Sequence, residues 1–230
     1  MHTLRTSVHE GKPGATPRQV QLALDLRATA TALTALEQAA DAIDIIEAGT
    51  VLCLSEGMHA VRAIRTAYPN HTLLADIRIA EAGALLSKLA FEAGANWVTV
   101  VSGAAPATFA TVAKVAAECG GEVQVELSEG WTWDLVQRCR DLGIAQFILH
   151  RSRDAEAAGS LAWPPGDLDA IERLHALGGR VSVTGGLTPT TLGDFAGRPA
   201  EIFIAGRAIY GADNPAAAAL AFRDAVLAIP

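Results

Sequence analysis

The amino-acid sequence predicts an α/β fold in which eight parallel strands close into a barrel, the (β/α)8 or TIM barrel. Short apolar segments rich in Val, Ile and Leu recur along the 230 residues. A segment with helical periodicity follows each of them, and strands that alternate with helices form a parallel sheet. Eight such units fit the length of one barrel domain. An open, doubly wound sheet is the weaker alternative, because it usually has fewer strands and no GxGxxG sequence follows the first strand.

The predicted strands are short and lie between alanine- and leucine-rich helical segments. In chain order the strands are VQLALDL, AIDIIEAG, TLLADIR, WVTVVS, VQVELS, AQFILHR, RVSVTGG and EIFIAGR. The helical segments include HAVRAIRTAY, AGALLSKLAFEAG and PATFATVAKVAAECG. Glycines that are typical of helix C-caps end several of these segments, namely Gly94, Gly120, Gly143 and Gly178. We expect one barrel domain over residues 19–230, preceded by a flexible extension over residues 1–18.

The composition excludes several classes of function. Half of the residues are hydrophobic, and the net charge is -7. An acidic chain without a basic run argues against a nucleic-acid partner, and no apolar run is long enough to cross a membrane. Three scattered cysteines without a CxxC pair argue against a zinc site or a disulfide framework, and they predict a reducing, cytoplasmic location. The N-terminal segment lacks the apolar core of a secretory signal.

Polar residues or glycines follow nearly every predicted strand at its C-terminal end, where barrels build their active sites. From the first strand to the last they are Asp25, Glu47, Asp76 with Arg78, Glu126, His150 with Arg151, Thr184-Gly185-Gly186, and Gly206 with Arg207. Buried charges are costly unless they are paired or used. A ring of them in this position therefore predicts a binding site at the mouth of the barrel.

The stretch LLADIRIAEAG places three charged residues close together. Side chains alternate along a strand, so Asp76 and Arg78 share the side that faces the barrel mouth. Glu81 follows in the loop before a helix that starts near Gly83. We expect the three charges to form a network in which Arg78 pairs with Glu81. A structural salt bridge that closes the top of the barrel is the alternative.

Two glycine turns predict a phosphate site, and one histidine predicts a proton donor. TGG follows the seventh strand and AGR follows the eighth, the usual position of a phosphate site in such barrels. Glycine turns let backbone N–H groups approach an anion, and a helix N-terminus adds a favourable dipole. His150 ends the sixth strand, and a histidine is suited to proton transfer near neutral pH.

LLADIRIAEAG resembles the DxKxxD motif of the orotidine 5'-monophosphate decarboxylase suprafamily. More narrowly, the chain from about residue 20 onward resembles the 3-keto-L-gulonate 6-phosphate decarboxylase branch of that suprafamily. The segments that support this are QLALDL, DIIEAGT, FEAGANWVTV, VQVELSEGWTW, LHRSRDAEAAG, VSVTGGL and IFIAGRAI. HRSRDAEAAG and WTW distinguish this branch from relatives such as the hexulose-phosphate synthases better than the DxKxxD pattern does.

The resemblance implies a carboxy-lyase that acts on a 3-keto sugar-acid phosphate through an enediolate intermediate. Glu47 and Asp76 would hold a Mg2+ ion that bridges two vicinal oxygens of the substrate. Asp25 would orient substrate hydroxyls or the neighbouring cation. His150 and Arg153 would deliver a proton to the intermediate.

The resemblance also implies how the substrate is held and how the protein assembles. Side chains and turns that would bind the substrate or its phosphate are Glu126, Thr184, Gly185, Gly186, Gly206 and Arg207. Glu81 would reach into the active site of a partner subunit. The implied assembly is a homodimer with shared active sites.

The motif in this chain departs from the family pattern, because it is D-x-R-x-x-E. Arg78 replaces a lysine, and Glu81 replaces an aspartate. An arginine stays protonated, so Arg78 can supply positive charge but is a poor proton donor. Two other functions remain open: an aldolase of the hexulose-6-phosphate synthase kind, and a sugar-phosphate binding barrel without catalysis.

Overall fold

The computed structural model describes residues 17–151, 163 and 165–230 of the chain. Residues 1–16 of the expected N-terminal extension lie outside this range, and so does Arg153. Among the described residues, no helix is long and apolar enough to span a lipid bilayer.

Eight parallel strands form a closed barrel in sequence order. They are β1 (Gln19–Leu24), β2 (Ile45–Ala48), β3 (Thr72–Ile79), β4 (Trp97–Val101), β5 (Glu122–Leu127), β6 (Gln146–His150), β7 (Arg180–Thr184) and β8 (Ala200–Ala205). β8 pairs with β1, with Gln21 opposite Ile204. This pairing closes the sheet, so the predicted (β/α)8 barrel is confirmed and the open-sheet alternative is wrong.

Helices surround the barrel and follow the strands. In the described part of the chain they are α1 (Thr29–Ala39), α2 (Thr50–Glu56), α3 (Met58–Ala67), α4 (Gly83–Glu92), α5 (Pro106–Cys119), α6 (Trp133–Asp141), α7 (Pro165–Ala176), α8 (Arg207–Tyr210) and α9 (Pro215–Leu227). Short 3-10 helices cover Ala40–Ala42 and Leu192–Phe195. α5 shows why the boundaries were predictable: Pro106 begins the helix, and Gly120, with a left-handed φ of 66°, caps it directly after Cys119.

The strands bury side chains on both sides, which is why they are almost continuously apolar. One core lies between the strands and the helices and includes Phe109, Phe147 and Phe203. A second, smaller core fills the barrel interior with residues such as Ile45, Leu74 and Trp97. Because side chains alternate along each strand, the residue two positions after an inner-core residue also points inward, and it lies closer to the barrel mouth.

β3 carries an irregularity that shapes the mouth. Ala75 lies opposite Val98, but Ile79 already lies opposite Val100, so β3 contains extra residues relative to β4. Arg78 lies inside this bulge and has a φ of 46°, a left-handed conformation that is uncommon for a residue other than glycine. Bulges of this kind are frequent next to active sites, where they redirect a side chain.

Candidate active site at the barrel mouth

A cavity of about 850 Å³ opens at the C-terminal ends of the strands. Its lining includes the predicted residues Asp25, Glu47, Asp76, Arg78, Glu126, His150, Thr184, Gly185, Gly186, Gly206 and Arg207. Glu81 does not line it, because it lies exposed in the loop between β3 and α4. A cavity of this size accommodates a sugar phosphate.

Two carboxylates line the cavity from the C-terminal halves of β2 and β3, namely Glu47 and Asp76. The Gln21 side-chain amide donates a hydrogen bond to Glu47 Oε2 at 2.6 Å. Thr50 donates to Asp76 Oδ2, and Thr99 donates to Asp76 Oδ1 at 2.7 Å. Both carboxylates are therefore held in fixed positions by neutral donors.

Burial and nearby negative charges raise the pKa values of these two carboxylates. Burial raises the pKa of Glu47 well above its usual value, and the nearby Asp76 raises it further, whereas the hydrogen bond from Gln21 opposes the shift. Burial also raises the pKa of Asp76, although its hydrogen bonds from Thr50 and Thr99 partly offset this. A cation between these side chains would relieve the repulsion.

We expect Glu47→Gln to stabilise the metal-free protein at mildly alkaline pH. Because the pKa of Glu47 is raised on folding, the folded state gains stability from its proton at low pH. That gain is lost as the pH rises through the raised pKa. In urea titrations with EDTA at about pH 8, the variant should unfold with a free energy roughly 1–2 kcal/mol above wild type.

The same comparison at about pH 5 should show a smaller difference between the two proteins. The exposed Glu118→Gln serves as the control and should show neither effect. If the free energy of unfolding of Glu47→Gln falls with rising pH as steeply as that of wild type, deprotonation of Glu47 is not the cause of the pH dependence.

Glu126 joins Arg78 and His150 on the other side of the cavity. Its Oε1 accepts a hydrogen bond from Arg78 Nη2 at 2.8 Å and lies 2.7 Å from His150 Nδ1. The Glu126 side chain is only 6% exposed, whereas Arg78 is 39% exposed, so solvent reaches the pair from the arginine side. The expected pairing of Arg78 with Glu81 is therefore wrong in the described chain, because the bulge in β3 turns Arg78 toward β5.

The glycine turns after β7 and β8 form the remaining wall of the cavity. Gly185 has a φ of 111°, and its carbonyl accepts a hydrogen bond from Arg151 Nη2 at 2.6 Å. A Cβ atom at Gly206 would lie 2.9 Å from the Ala23 carbonyl oxygen, so only glycine fits there. Both turns thus bring backbone close to the cavity, as the prediction of a phosphate site requires.

Four residues that shape the site were not assigned a role from the sequence. Gln21, Thr50 and Thr99 orient the carboxylates, and Arg151 supports the Gly185 turn. Gln21 and Thr99 interrupt otherwise apolar strands, a signal that was visible in the sequence. Their partners were not visible, because those partners lie on other strands.

The donor set fits a hard divalent cation that takes some of its ligands from outside the protein. Among the described residues, no group of three His, Cys, Asp or Glu side chains is arranged to hold a metal ion. Glu47 and Asp76 provide two carboxylates, and Asp76 raises the pKa of Glu47. Mg2+ is usually bound by one or two carboxylates together with water and substrate oxygens, so this pair is sufficient for it.

Comparison with known proteins identifies the family. A model of the orotidine 5'-phosphate decarboxylase / HUMPS family matches residues 18–222. The chain is 46% identical over 207 residues to 3-keto-L-gulonate-6-phosphate decarboxylase UlaD of Escherichia coli, which covers 90% of this chain and 95% of the relative.

Solved structures show the same relationship. The decarboxylase KGPDC of Streptococcus mutans, in complex with D-R5P, matches with a TM-score of 0.89 and 40% identity, covering 92% of this chain and 98% of that one. A 3-hexulose-6-phosphate synthase of Salmonella typhimurium matches with a TM-score of 0.84 and 31% identity, covering 91% and 98%. The chain therefore belongs to the orotidine 5'-phosphate decarboxylase / HUMPS family.

Proposed function

We propose that the protein is a Mg2+-dependent carboxy-lyase that converts 3-keto-L-gulonate 6-phosphate to L-xylulose 5-phosphate and CO2. The observation that carries this proposal is the single cavity that combines two buried carboxylates, the Arg78–Glu126–His150 cluster and two glycine turns. The chain is also 46% identical to a relative named 3-keto-L-gulonate-6-phosphate decarboxylase, and this similarity favours the same substrate.

Each wall of the cavity suits one part of such a substrate. The glycine turns would bind the phosphate through backbone N–H groups, with Thr184 and Arg207 beside them. Asp25, at the end of β1, would orient the hydroxyl groups of the sugar chain. The reacting carbons would then lie between the carboxylate pair and the Arg78–Glu126–His150 cluster.

Loss of CO2 from a 3-keto acid leaves an electron pair that delocalises into the ketone as an enediolate. The Arg78 guanidinium would stabilise this negative charge as it develops, since Arg78 lines the cavity. Glu126 holds His150 through Nδ1, so Nε2 would give the proton to carbon. Arg153 remains a predicted second participant outside the described residues.

Glu47 and Asp76 would hold Mg2+. When bound, Mg2+ would supply Lewis-acid stabilisation of charge on the substrate oxygens. The hydrogen bonds from Gln21, Thr50 and Thr99 would keep both carboxylates in place before the ion and substrate bind.

A homodimer with shared active sites is part of this proposal. Leu54 on α2 is 83% exposed, and Leu85 and Leu89 on α4 are 63% and 44% exposed. Glu81 lies in the exposed loop just before α4. An interface over these helices would cover the leucines and bring Glu81 to a partner's site; a monomeric mass in light scattering would contradict it.

Incubation of the purified protein with 3-keto-L-gulonate 6-phosphate and Mg2+ tests the activity. We expect release of CO2 and formation of L-xylulose 5-phosphate. Treatment with EDTA should lower turnover by about 100-fold or more, and added Mg2+ should restore it.

Two outcomes would contradict this proposal. Faster condensation of formaldehyde with ribulose 5-phosphate would favour an aldolase, which the structural similarity to a 3-hexulose-6-phosphate synthase makes the second candidate. Binding of the sugar phosphate without turnover would indicate a binding barrel that lacks catalysis.

A further inference from the structure

The Thr99 side chain on β4 contacts both Asp76 and Arg78, which lie in the irregular part of β3 at the barrel mouth. Its hydroxyl oxygen accepts a hydrogen bond from the Arg78 backbone N–H at 2.9 Å. The same hydroxyl donates to Asp76 Oδ1 at 2.7 Å. Thr99 is only 1% exposed, so water does not compete for either bond.

The direction of the two hydrogen bonds is fixed by chemistry. A backbone N–H can only donate, so the Thr99 oxygen must accept from Arg78. A hydroxyl has one hydrogen, and it is then available for the Asp76 carboxylate. One side chain thereby links the position of a carboxylate to the backbone conformation of the neighbouring arginine.

This link lies where the backbone is strained. The register shift between Ala75 and Ile79 interrupts the pairing of β3 with β4 around Arg78. Its φ of 46° is disfavoured for a residue with a side chain and persists only where the surroundings enforce it. The Thr99 oxygen takes the place of a strand acceptor for the Arg78 N–H and so supports this conformation.

We propose that Thr99 is a positioning residue that holds Asp76 and Arg78 in one fixed arrangement at the barrel mouth. The inference rests on the proposed function, in which Asp76 binds Mg2+ and Arg78 faces the reacting carbons. Thr99 itself does not line the cavity. It acts by fixing the Asp76 carboxylate and the Arg78 backbone relative to each other, which keeps the Arg78 guanidinium within hydrogen-bonding distance of Glu126.

Thr99→Val tests this, because valine has the same shape but neither donates nor accepts. We expect a 10- to 100-fold lower Mg2+ affinity by calorimetry without substrate, and a comparable loss of kcat, as is roughly typical when a residue supporting a ligand is changed. Thr99→Ser should restore both, and Thr99→Cys, with its weaker hydrogen bonds, should lie between. If the valine variant does not fold, the comparison of serine with cysteine carries the test.

Ser182→Ala is the matched control, since it also removes a buried hydroxyl from the barrel interior. Ser182 accepts a hydrogen bond from Gln124 at 3.3 Å and does not line the cavity. This variant should leave both the Mg2+ affinity and kcat unchanged. A purely structural role of Thr99 would lower only the thermal stability and leave these two quantities as in wild type.

Crystal structures separate this inference from the proposed function. In Thr99→Val we expect a changed Asp76 rotamer or an Arg78 φ that leaves the left-handed region. If both remain as in wild type and the Mg2+ affinity is unchanged, the inference is overturned. If wild type does not decarboxylate the substrate, the proposed function fails, yet the structural comparison still decides the role of Thr99.

Discussion

Glu126→Gln is expected to lower kcat by about 10³-fold, because one carboxylate oxygen holds both Arg78 and His150. A glutamine removes the negative charge and presents an amide that no longer requires a proton on His150 Nδ1. Replacing the orienting acid of a catalytic histidine by its amide has cost up to about 10⁴-fold in other enzymes. The Arg78 side chain would also lose its anchor and its fixed position in the cavity.

The effect on stability should be smaller than the effect on catalysis. Arg78 is 39% exposed and His150 is 22% exposed, so solvent screens much of the loss of charge pairing. Steady-state kinetics with 3-keto-L-gulonate 6-phosphate, compared with thermal unfolding of the same samples, would separate the two effects. A kcat within about threefold of wild type would show that the cluster does not act in the reaction.

Glu122→Gln is the matched control for this variant. Glu122 begins the same strand, β5, at the end of the barrel opposite the cavity, where it accepts a hydrogen bond from Gln146 at 2.6 Å. The substitution removes the same charge from the same strand. We expect kcat and KM to remain at their wild-type values.

Gly185→Ala is expected to destabilise the protein by about 3 kcal/mol and to raise KM for the phosphorylated substrate roughly tenfold. The φ of 111° is strained for any residue with a side chain, at a cost of about 1–3 kcal/mol. The new Cβ atom would also lie 2.4 Å from the Arg151 carbonyl oxygen, and overpacking costs a further 1–3 kcal/mol or so. Relief of this overlap would shift the turn that is proposed to bind the phosphate.

Gly143→Ala provides the comparison for Gly185→Ala. Gly143 also has a positive φ, 81°, but nothing lies within 4 Å of the position its Cβ would take. The Gly143→Ala variant should lose only about 1 kcal/mol of its free energy of unfolding to backbone strain, and its KM should equal that of wild type. Equal losses of stability in the two variants, measured by urea unfolding, would show that contact with Arg151 contributes nothing.

Much of the architecture could be predicted from the sequence because it depends on local patterns. A strand buried on both sides must be continuously apolar, and a helix next to it must repeat its apolar residues about every 3.6 positions. A charged residue in the C-terminal half of such a strand, such as Glu47 or Asp76, is then expected to lie near the C-terminal edge of the sheet. The ring of cavity-lining residues follows from this rule and from the closure of the barrel.

The partners of those residues could not be predicted in the same way. Arg78 and Glu126 are 48 positions apart in the chain, and the sequence favoured the nearby Glu81 as the partner of Arg78. The left-handed backbone in β3 reverses that expectation, and no composition rule signals such a bulge at an arginine.

The sequence by itself determined the barrel, the ring of polar strand ends and the family resemblance, because each of these is written in short stretches of the chain. Only the tertiary structure decided that Glu126 joins Arg78 to His150 and that Thr99 joins Arg78 to Asp76. The physical reason is that a hydrogen bond between side chains forms only when the donor and acceptor are placed to within a few tenths of an ångström. Those distances are set by the register and curvature of the closed sheet rather than by neighbouring residues.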